Sequence, residues 1–329
     1  MLLSSGGTIN RMLKRIVIVA GAAAVLVTAW TALRHQTPQH SHAQATAPRD
    51  LKSLRILTAN IRIAEPKDGI NEWPKRRTLL VETLRAQDAH IIGLQEVTPT
   101  QGVFLFKEMK EFSRWPVQKD DNATLVESVN ATFAALNSIL YRTDRFEFVD
   151  GASGLVIPEE PQNNPTENTY FSLAVLRDKE KLWPTLIVVN THLRHNVRFA
   201  ARCAARLRDT IATYEKQHPG AQVIVTGDMN GDKVGRSYAE WTKDREGLAA
   251  LRDTFDYTKK KPGEQWGTYH AFTGKVNREW PTDLIFTAGP MTIATPATII
   301  RGEGENGLWA SDHFLVHTTL TPVPSTTPK

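Results

Sequence analysis

Cysteine is nearly missing from this chain of 329 residues: it occurs once, at Cys203, so no intrachain disulfide can form. The surrounding "RFAARCAARLRDTIATY" is rich in Ala, Arg and Leu and predicts a helix in which the thiol is a small buried residue. A strong net charge is missing too, despite a pI near 9.2. Five of the 40 basic side chains lie in residues 1–50 against a single acid, Asp50, which leaves 35 basic and 34 acidic residues in 51–329. That near-neutral balance gives no support for a DNA-binding field. Internal repeats and a second hydrophobic unit are also absent, which argues for one layered domain of α+β or α/β type.

What is present begins with the leader. Residues 16–33, "IVIVAGAAAVLVTAWTAL", carry no charge and follow Arg11, Lys14 and Arg15. At about 1.5 Å per residue the run makes roughly 27 Å of helix, enough to span a bilayer. The basic flank predicts that everything after residue 34 is exported. The run exceeds the usual apolar core of a signal peptide, about 7–15 residues, and reads as an anchor. "HAQATAP" downstream offers two small-x-small cleavage sites, so cleaved signal and membrane anchor both stand for residues 1–34. Residues 35–50 read as a polar linker, residues 51–322 as the globular domain and 323–329 as a tail.

Within the domain, short apolar runs predict strands at 53–62, 90–97, 131–150 (two), 171–178, 182–193, 222–230, 281–289 and 308–320. A helix is expected over 70–90, with Pro74 near its start, and 151–170 reads as a Pro- and Asn-rich loop. Polar residues gather where these runs end. Asn60, Glu96, His192, Asp228, Asn230, Asp283, Asp312 and His313 come from six strand edges and predict one convergent polar floor. In "QVIVTGDMNGD", Asp228 and Asn230 share a face if the extended path continues; the bland alternative is an Asx turn. Glu96 follows Ile91-Ile92-Gly93-Leu94, so its carboxylate is partly desolvated and calls for a partner or a cation.

These residues stand in "TANIR", "GLQEV", "VVNTHL", "VTGDMN", "TDLIF" and "SDHFLV", in that order across residues 53–320. The set resembles the endonuclease/exonuclease/phosphatase (DNase I-like) superfamily. The resemblance implies a four-layer α/β/β/α sandwich and a hydrolase of phosphodiester bonds, a nuclease or phosphodiesterase, working outside the cytoplasm as a monomer. It implies Mg²⁺, with Mn²⁺ as a substitute, held by Glu96 with Asn60 and Asp312. His192 then donates to the scissile phosphate, Asp228 orients the attacking water, Asn230 holds water or phosphate, and Asp283 fixes His313. Phospholipid head groups or small phosphate esters are the alternative substrates, and a silent binding scaffold the third reading. "DGINEWPKRR" and "WGTYHAFTGK" resemble secreted bacterial members and nominate Arg77 and His270 as pocket residues, His270 having a backbone-capping alternative. Arg194 stands where such relatives often carry an acid. Tyr141 is the candidate for a catalytic Tyr, with a packed strand aromatic as the bland reading.

Overall fold

The computed structural model describes residues 52–116, 137–156, 169–245, 250–261 and 263–323. The apolar run 16–33, the linker and residues 324–329 of the tail lie outside these. Among the described residues no helix is long and apolar enough to cross a membrane.

Twelve strands are described: β1 (Leu54–Asn60), β2 (Ile91–Gln95), β3 (Phe112–Trp115), β4 (Ile139–Arg142), β5 (Phe146–Val156), β6 (Thr169–Asp178), β7 (Leu186–His192), β8 (Gln222–Asp228), β9 (Arg252–Asp253), β10 (Asp283–Ala288), β11 (Met291–Ile300) and β12 (Leu315–Pro322). They form two mixed six-stranded sheets, ordered β11-β12-β1-β2-β4-β3 and β5-β6-β7-β8-β10-β9. The expected loop over 151–170 is a correction. β5 runs on to Val156 and β6 begins at Thr169. The Gly- and Ser-containing end of β5 has weak strand propensity, and ten paired residues of β6 supply its ladder instead.

Among the described residues four α-helices cover the sheets: α1 (Trp73–Ala86), α2 (Pro99–Glu108), α3 (Val197–Gln217) and α4 (Arg236–Thr242). Pro74 sits in the first turn of α1, where its missing N–H costs nothing. Asn196 caps α3 through its side chain. Phe199, Cys203, Leu207 and Ile211 give α3 one buried stripe at helical spacing. Cys203 is therefore a core residue, and burial pushes its thiol up to about 11.

Strand alternation builds the layers. Leu54 and Ile56 join the core between the sheets, while Leu57 and Ala59 pack outward with Leu80 and Leu84 of α1. The same period carries Thr58 and Asn60 to the inter-sheet face. There the apolar core gives way to a buried polar belt. Gln95 Nε2 donates to Asn190 Oδ1 at 2.7 Å and to Thr58 Oγ1 at 3.1 Å. Asn190 Nδ2 donates to the carbonyls of Leu94 (2.8 Å) and Ser138 (3.0 Å), and Thr226 Oγ1 donates to Asn190 Oδ1 at 3.1 Å. Gly93 makes this approach possible, because a Cβ there would lie 2.1 Å from Thr226 Oγ1 and 2.8 Å from Asn190 Oδ1.

Two outcomes follow from the packing. Gly93→Ala forces the sheets apart and is expected to cost about 1–3 kcal/mol, as overpacking does; an unchanged urea midpoint would show that they part freely. His317 on β12 is held neutral, since burial, helped by Arg55, lowers it from 6.5 to about 4. The unfolded chain therefore takes up this proton first as the pH falls, and stability is lost between those two values. The melting temperature is expected to drop from pH 7 to pH 5, and to drop less in His317→Gln; equal drops would locate the acid sensitivity elsewhere.

Candidate active site

Register assembles half of the site. His192 pairs with Asp228 across parallel β7 and β8, and Asp283 pairs with Asp228 across antiparallel β10 and β8. One row at the strand ends thus holds an imidazole and two carboxylates on the inter-sheet face. Gly227 lets the row close up, since a Cβ there would meet Thr191 O at 2.2 Å. Beyond Asp228 the extended path stops. Asn230 has φ 48°, and its N–H donates to Asp228 Oδ1 at 2.9 Å. This is the Asx turn rather than the extended pair, yet both side chains still reach the site. Asp228 Oδ2 accepts from Asn60 Nδ2 at 3.1 Å and lies 3.5 Å from His192 Nε2 and 3.8 Å from His313 Nε2. Asn230 Nδ2 donates to Leu193 O at 2.7 Å and lies 2.9 Å from His192 Nε2.

The other half comes from the first sheet. Glu96 follows β2 with φ 64°, which turns its side chain back toward β1. Its Oε1 accepts from Asn60 Nδ2 at 3.1 Å and its Oε2 from the Ile63 N–H at 2.9 Å. Asn60 is buried and links Glu96 to Asp228 across the two sheets, while its own oxygen accepts from the Arg62 N–H at 3.0 Å. In this arrangement Asn60 spaces the two carboxylates, and its oxygen is already engaged. Ser311 Oγ donates to Asn60 O at 2.6 Å and so brings Asp312 and His313 beside β1. All eight expected rim residues lie in this one neighbourhood.

The charges are strongly coupled. Asp283 Oδ2 lies 2.8 Å from His313 Nδ1. Burial alone would push His313 down, but Asp283 and Asp228 outweigh it and raise it to about 10, so its imidazolium persists at neutral pH. Burial lifts Asp283, and this pair as a whole keeps its proton. Burial also works to raise Asp228, but His313, His192 and the donors Asn230 and Asn60 prevail and hold its carboxyl below the usual range. Asp312 is raised by burial first and then by repulsion from Glu96, against His313, Arg62 and Arg76.

Two nominated residues are displaced by their neighbours. Arg77 lies exposed on α1 with its guanidinium 4.7 Å from the Phe104 ring centre, and no hydrogen bond or ion pair joins it to the rim residues. Arg76, one position earlier, is fully buried and donates to the carbonyls of Ile61, Arg62, Ile63 and Ala310. Helical rotation of about 100° per residue explains the exchange. His270 is buried against Phe314 and Trp309, and its Nδ1 accepts from the Gly274 N–H at 3.1 Å. It caps the loop, as its alternative reading holds, and burial lowers it to about 4. Tyr269 beside it is the exposed aromatic, 5.1 Å from the His313 ring. Tyr141 is a buried strand aromatic on β4. The sequence reading missed Arg62 and Asp68, which pair at 3.1 Å next to Asp312; an arginine and an acid six residues apart carry no periodic signal.

The sequence profile of the Endonuclease/Exonuclease/phosphatase family matches residues 57–313. The chain belongs to this family. Its members are phosphoesterase hydrolases, generally dependent on a divalent metal, and the two sheets with their covering helices form the DNase I-like sandwich. No curated protein sequence matches. Among solved structures, an endonuclease/exonuclease/phosphatase from Bacteroides vulgatus is 22% identical with TM-score 0.66, covering 82% of this chain and 99% of its own. A mannosyl-6-phosphatase from Bacteroides thetaiotaomicron is 19% identical with TM-score 0.65, covering 82% and 99%. Danio rerio TDP2 in complex with a single-strand DNA product is 19% identical with TM-score 0.56, also covering 82% and 99%.

The residues fit a divalent ion. Among the described residues, donor atoms of Asp228, Asp283 and His313 lie within 4.8 Å of one another. That trio is already satisfied by the His313–Asp283 bond, and an imidazolium is no ligand. Glu96 and Asp312 are the better match, because two repelling carboxylates in a partly dry pocket are the oxygen donors a hard cation takes. Millimolar MgCl₂ is therefore expected to raise the melting temperature by binding the native state only. The rise is expected to shrink in Glu96→Gln; an equal rise would put the ion elsewhere.

Proposed function

We propose that this family hydrolase uses a divalent cation, Mg²⁺ or Mn²⁺, to cleave a short phosphate ester by attack of water on phosphorus. The observation that carries the reading is the set of partners around Asp228: one buried carboxylate with two imidazoles and an amide N–H donor from the facing sheet. Glu96 and Asp312 would hold the ion, which when bound adds positive charge against the phosphate oxygens.

The chain's own groups do the rest. Asp228 is too weak a base to strip water of its proton outright, given its lowered pKa. It orients the water for in-line attack and accepts its proton as the new P–O bond forms and the ester's own P–O bond breaks, the alcohol oxygen leaving with a proton taken from solvent. Asn230, beside His192, steadies that ring against a non-bridging oxygen. His313, kept charged by Asp283, donates to the phosphate where negative charge builds up. Removal of His313 or Asp283 therefore acts on the same charge.

The near-zero net charge of residues 51–329 supports a short ester over a duplex. One feature favours single-stranded nucleic acid as a second reading. Arg198, Arg202 and Arg236, with one acid, Glu240, line a cleft of about 370 Å³ between α3 and α4, the helices that follow β7 and β8. Basic residues ahead of the apolar run 16–33 support action outside the cytoplasm.

The test is turnover of p-nitrophenyl phosphate, mannose 6-phosphate and single-stranded DNA by the full chain, with Mg²⁺ and with EDTA. Metal-dependent release of phosphate from the short esters is expected. Asp228→Asn is expected to cut turnover at least about 10²-fold with circular dichroism unchanged. Near-normal turnover in that variant would sink the assignment, and cleavage of DNA alone would move the substrate to the second reading.

A further inference from the structure

Arg62 has φ 55°. Left-handed backbone costs a non-glycine residue on the order of 1–3 kcal/mol and lasts only where the surroundings enforce it. They do so here from both sides. The Arg62 N–H donates to Asn60 Oδ1 at 3.0 Å, and its carbonyl accepts from Arg76 Nη2 at 2.8 Å and Gln101 Nε2 at 2.6 Å. Arg76 and Gln101 are both fully buried and come from different helices. The turn is therefore fixed by the core.

The enforced turn decides where the guanidinium goes. Asp68 grips one edge of it, Nε to Oδ2 and Nη2 to Oδ1, both at 3.1 Å. Asp312 Oδ2 lies 3.7 Å from Nε. The Arg62 side chain keeps 28% of its exposure, against 9% for each of the two carboxylates. Nη1 makes no hydrogen bond among the described residues. A guanidinium is thus clamped on one edge, stands beside the candidate metal carboxylates, and has donors to spare.

A group needed only to neutralise Asp312 requires neither the clamp nor the strained turn. A lysine point charge on ordinary backbone serves that end. What a rigid, half-used fork suits is a second oxygen acceptor of fixed geometry. We propose that Arg62 reads the substrate: its open end takes a non-bridging oxygen of the reacting phosphate, and the site thereby favours the dianionic phosphate of a monoester over the monoanionic phosphate of a diester. Arg62 faces the extra oxygen that only a terminal phosphate carries unesterified. Asp68 acts through Arg62 as a positioning residue. The proposal rests on the phosphoester reading above and names the substrate class within it.

The experiment separates the two. Full-length protein in detergent, with MgCl₂, is titrated calorimetrically with inorganic phosphate and with dimethyl phosphate. KM and kcat are measured on p-nitrophenyl phosphate and bis-p-nitrophenyl phosphate. Arg62→Gln is expected to weaken inorganic phosphate binding at least about tenfold, the value of a hydrogen bond to a charged group, and dimethyl phosphate binding much less. KM for the monoester rises in parallel, while the Mg²⁺-induced melting shift stays. Arg62→Lys recovers part of the loss, and Asp68→Asn gives an intermediate loss with Arg62 intact. Unchanged phosphate binding in Arg62→Gln overturns the proposal. So does equal loss on both ligands, or a loss that vanishes with the Mg²⁺ shift, which would mean that Arg62 acts only through Asp312. If Arg62→Gln does not fold, Arg62→Lys and Asp68→Asn decide by the same comparison. A wild-type protein that binds phosphate through Arg62 but cleaves no ester would refute the enzymatic reading and leave this one standing.

Discussion

The spacing of the two sheets is the constraint on which the site depends. Ordinary sheets pack about 10 Å apart over large apolar side chains. Here Gly93 removes a side chain altogether, and Gln95, Asn190 and Thr226 hydrogen-bond across the gap. An apolar filling of the same space would hold the sheets apart by its bulk. The polar belt draws them to hydrogen-bonding distance instead. Only then can one small amide, Asn60, bond Glu96 on its own sheet and Asp228 on the other. The carboxylate that would serve the ion and the carboxylate that would serve the water are kept at a set separation by a single NH₂ group.

The belt also controls electrostatics. It lies beneath the rim and keeps water from the inner side of Asp228 and Asp283, which are almost wholly buried. Burial of so many acids is sustainable only because His313 and the amide donors meet them. The same dryness strengthens each charge that faces the pocket. Removing one partner leaves a buried charge uncompensated, so the network is expected to fail as a unit.

Much of this was legible from residues alone. Strands in the middle of each sheet announce themselves as apolar runs, and the polar residues that end them point to one rim. The strands that escaped notice are edges. β11 has mostly exposed or half-buried residues, β3 is four half-buried residues long, and β5 owes its far end to pairing with β6. No apolar run marks such strands, because only one neighbour stabilises them. In the site, residue types were found and rotations were not. Arg76 and Arg77 are indistinguishable in composition, as are the roles of Tyr269 and His270; the helix and the loop turn choose between them. Pairs such as Arg62–Asp68 and Asn60–Asp228 depend on tertiary closure and leave no local trace.

Three non-glycine residues in left-handed conformation, Arg62, Glu96 and Asn230, fall within two residues of the ends of β1, β2 and β8. An extended strand puts residues i and i+2 on one face but spaces them about 6.6 Å apart along it. The left-handed turn shortens that spacing. It folds the N–H of Arg62 back onto Asn60 Oδ1 and that of Asn230 back onto Asp228 Oδ1, so each pair acts on one pocket. The cost falls where glycine would be easier but would carry no side chain. Each turn is held by a hydrogen bond, to Asn60 Oδ1, from the Ile63 N–H and to Asp228 Oδ1, and Asn60 and Asp228 are already buried for other reasons. The strain and the polar network therefore support each other. A substitution that relaxed one turn would also release the carboxylate or amide that pins it, which makes the rim rigid at the places where chemistry requires fixed distances.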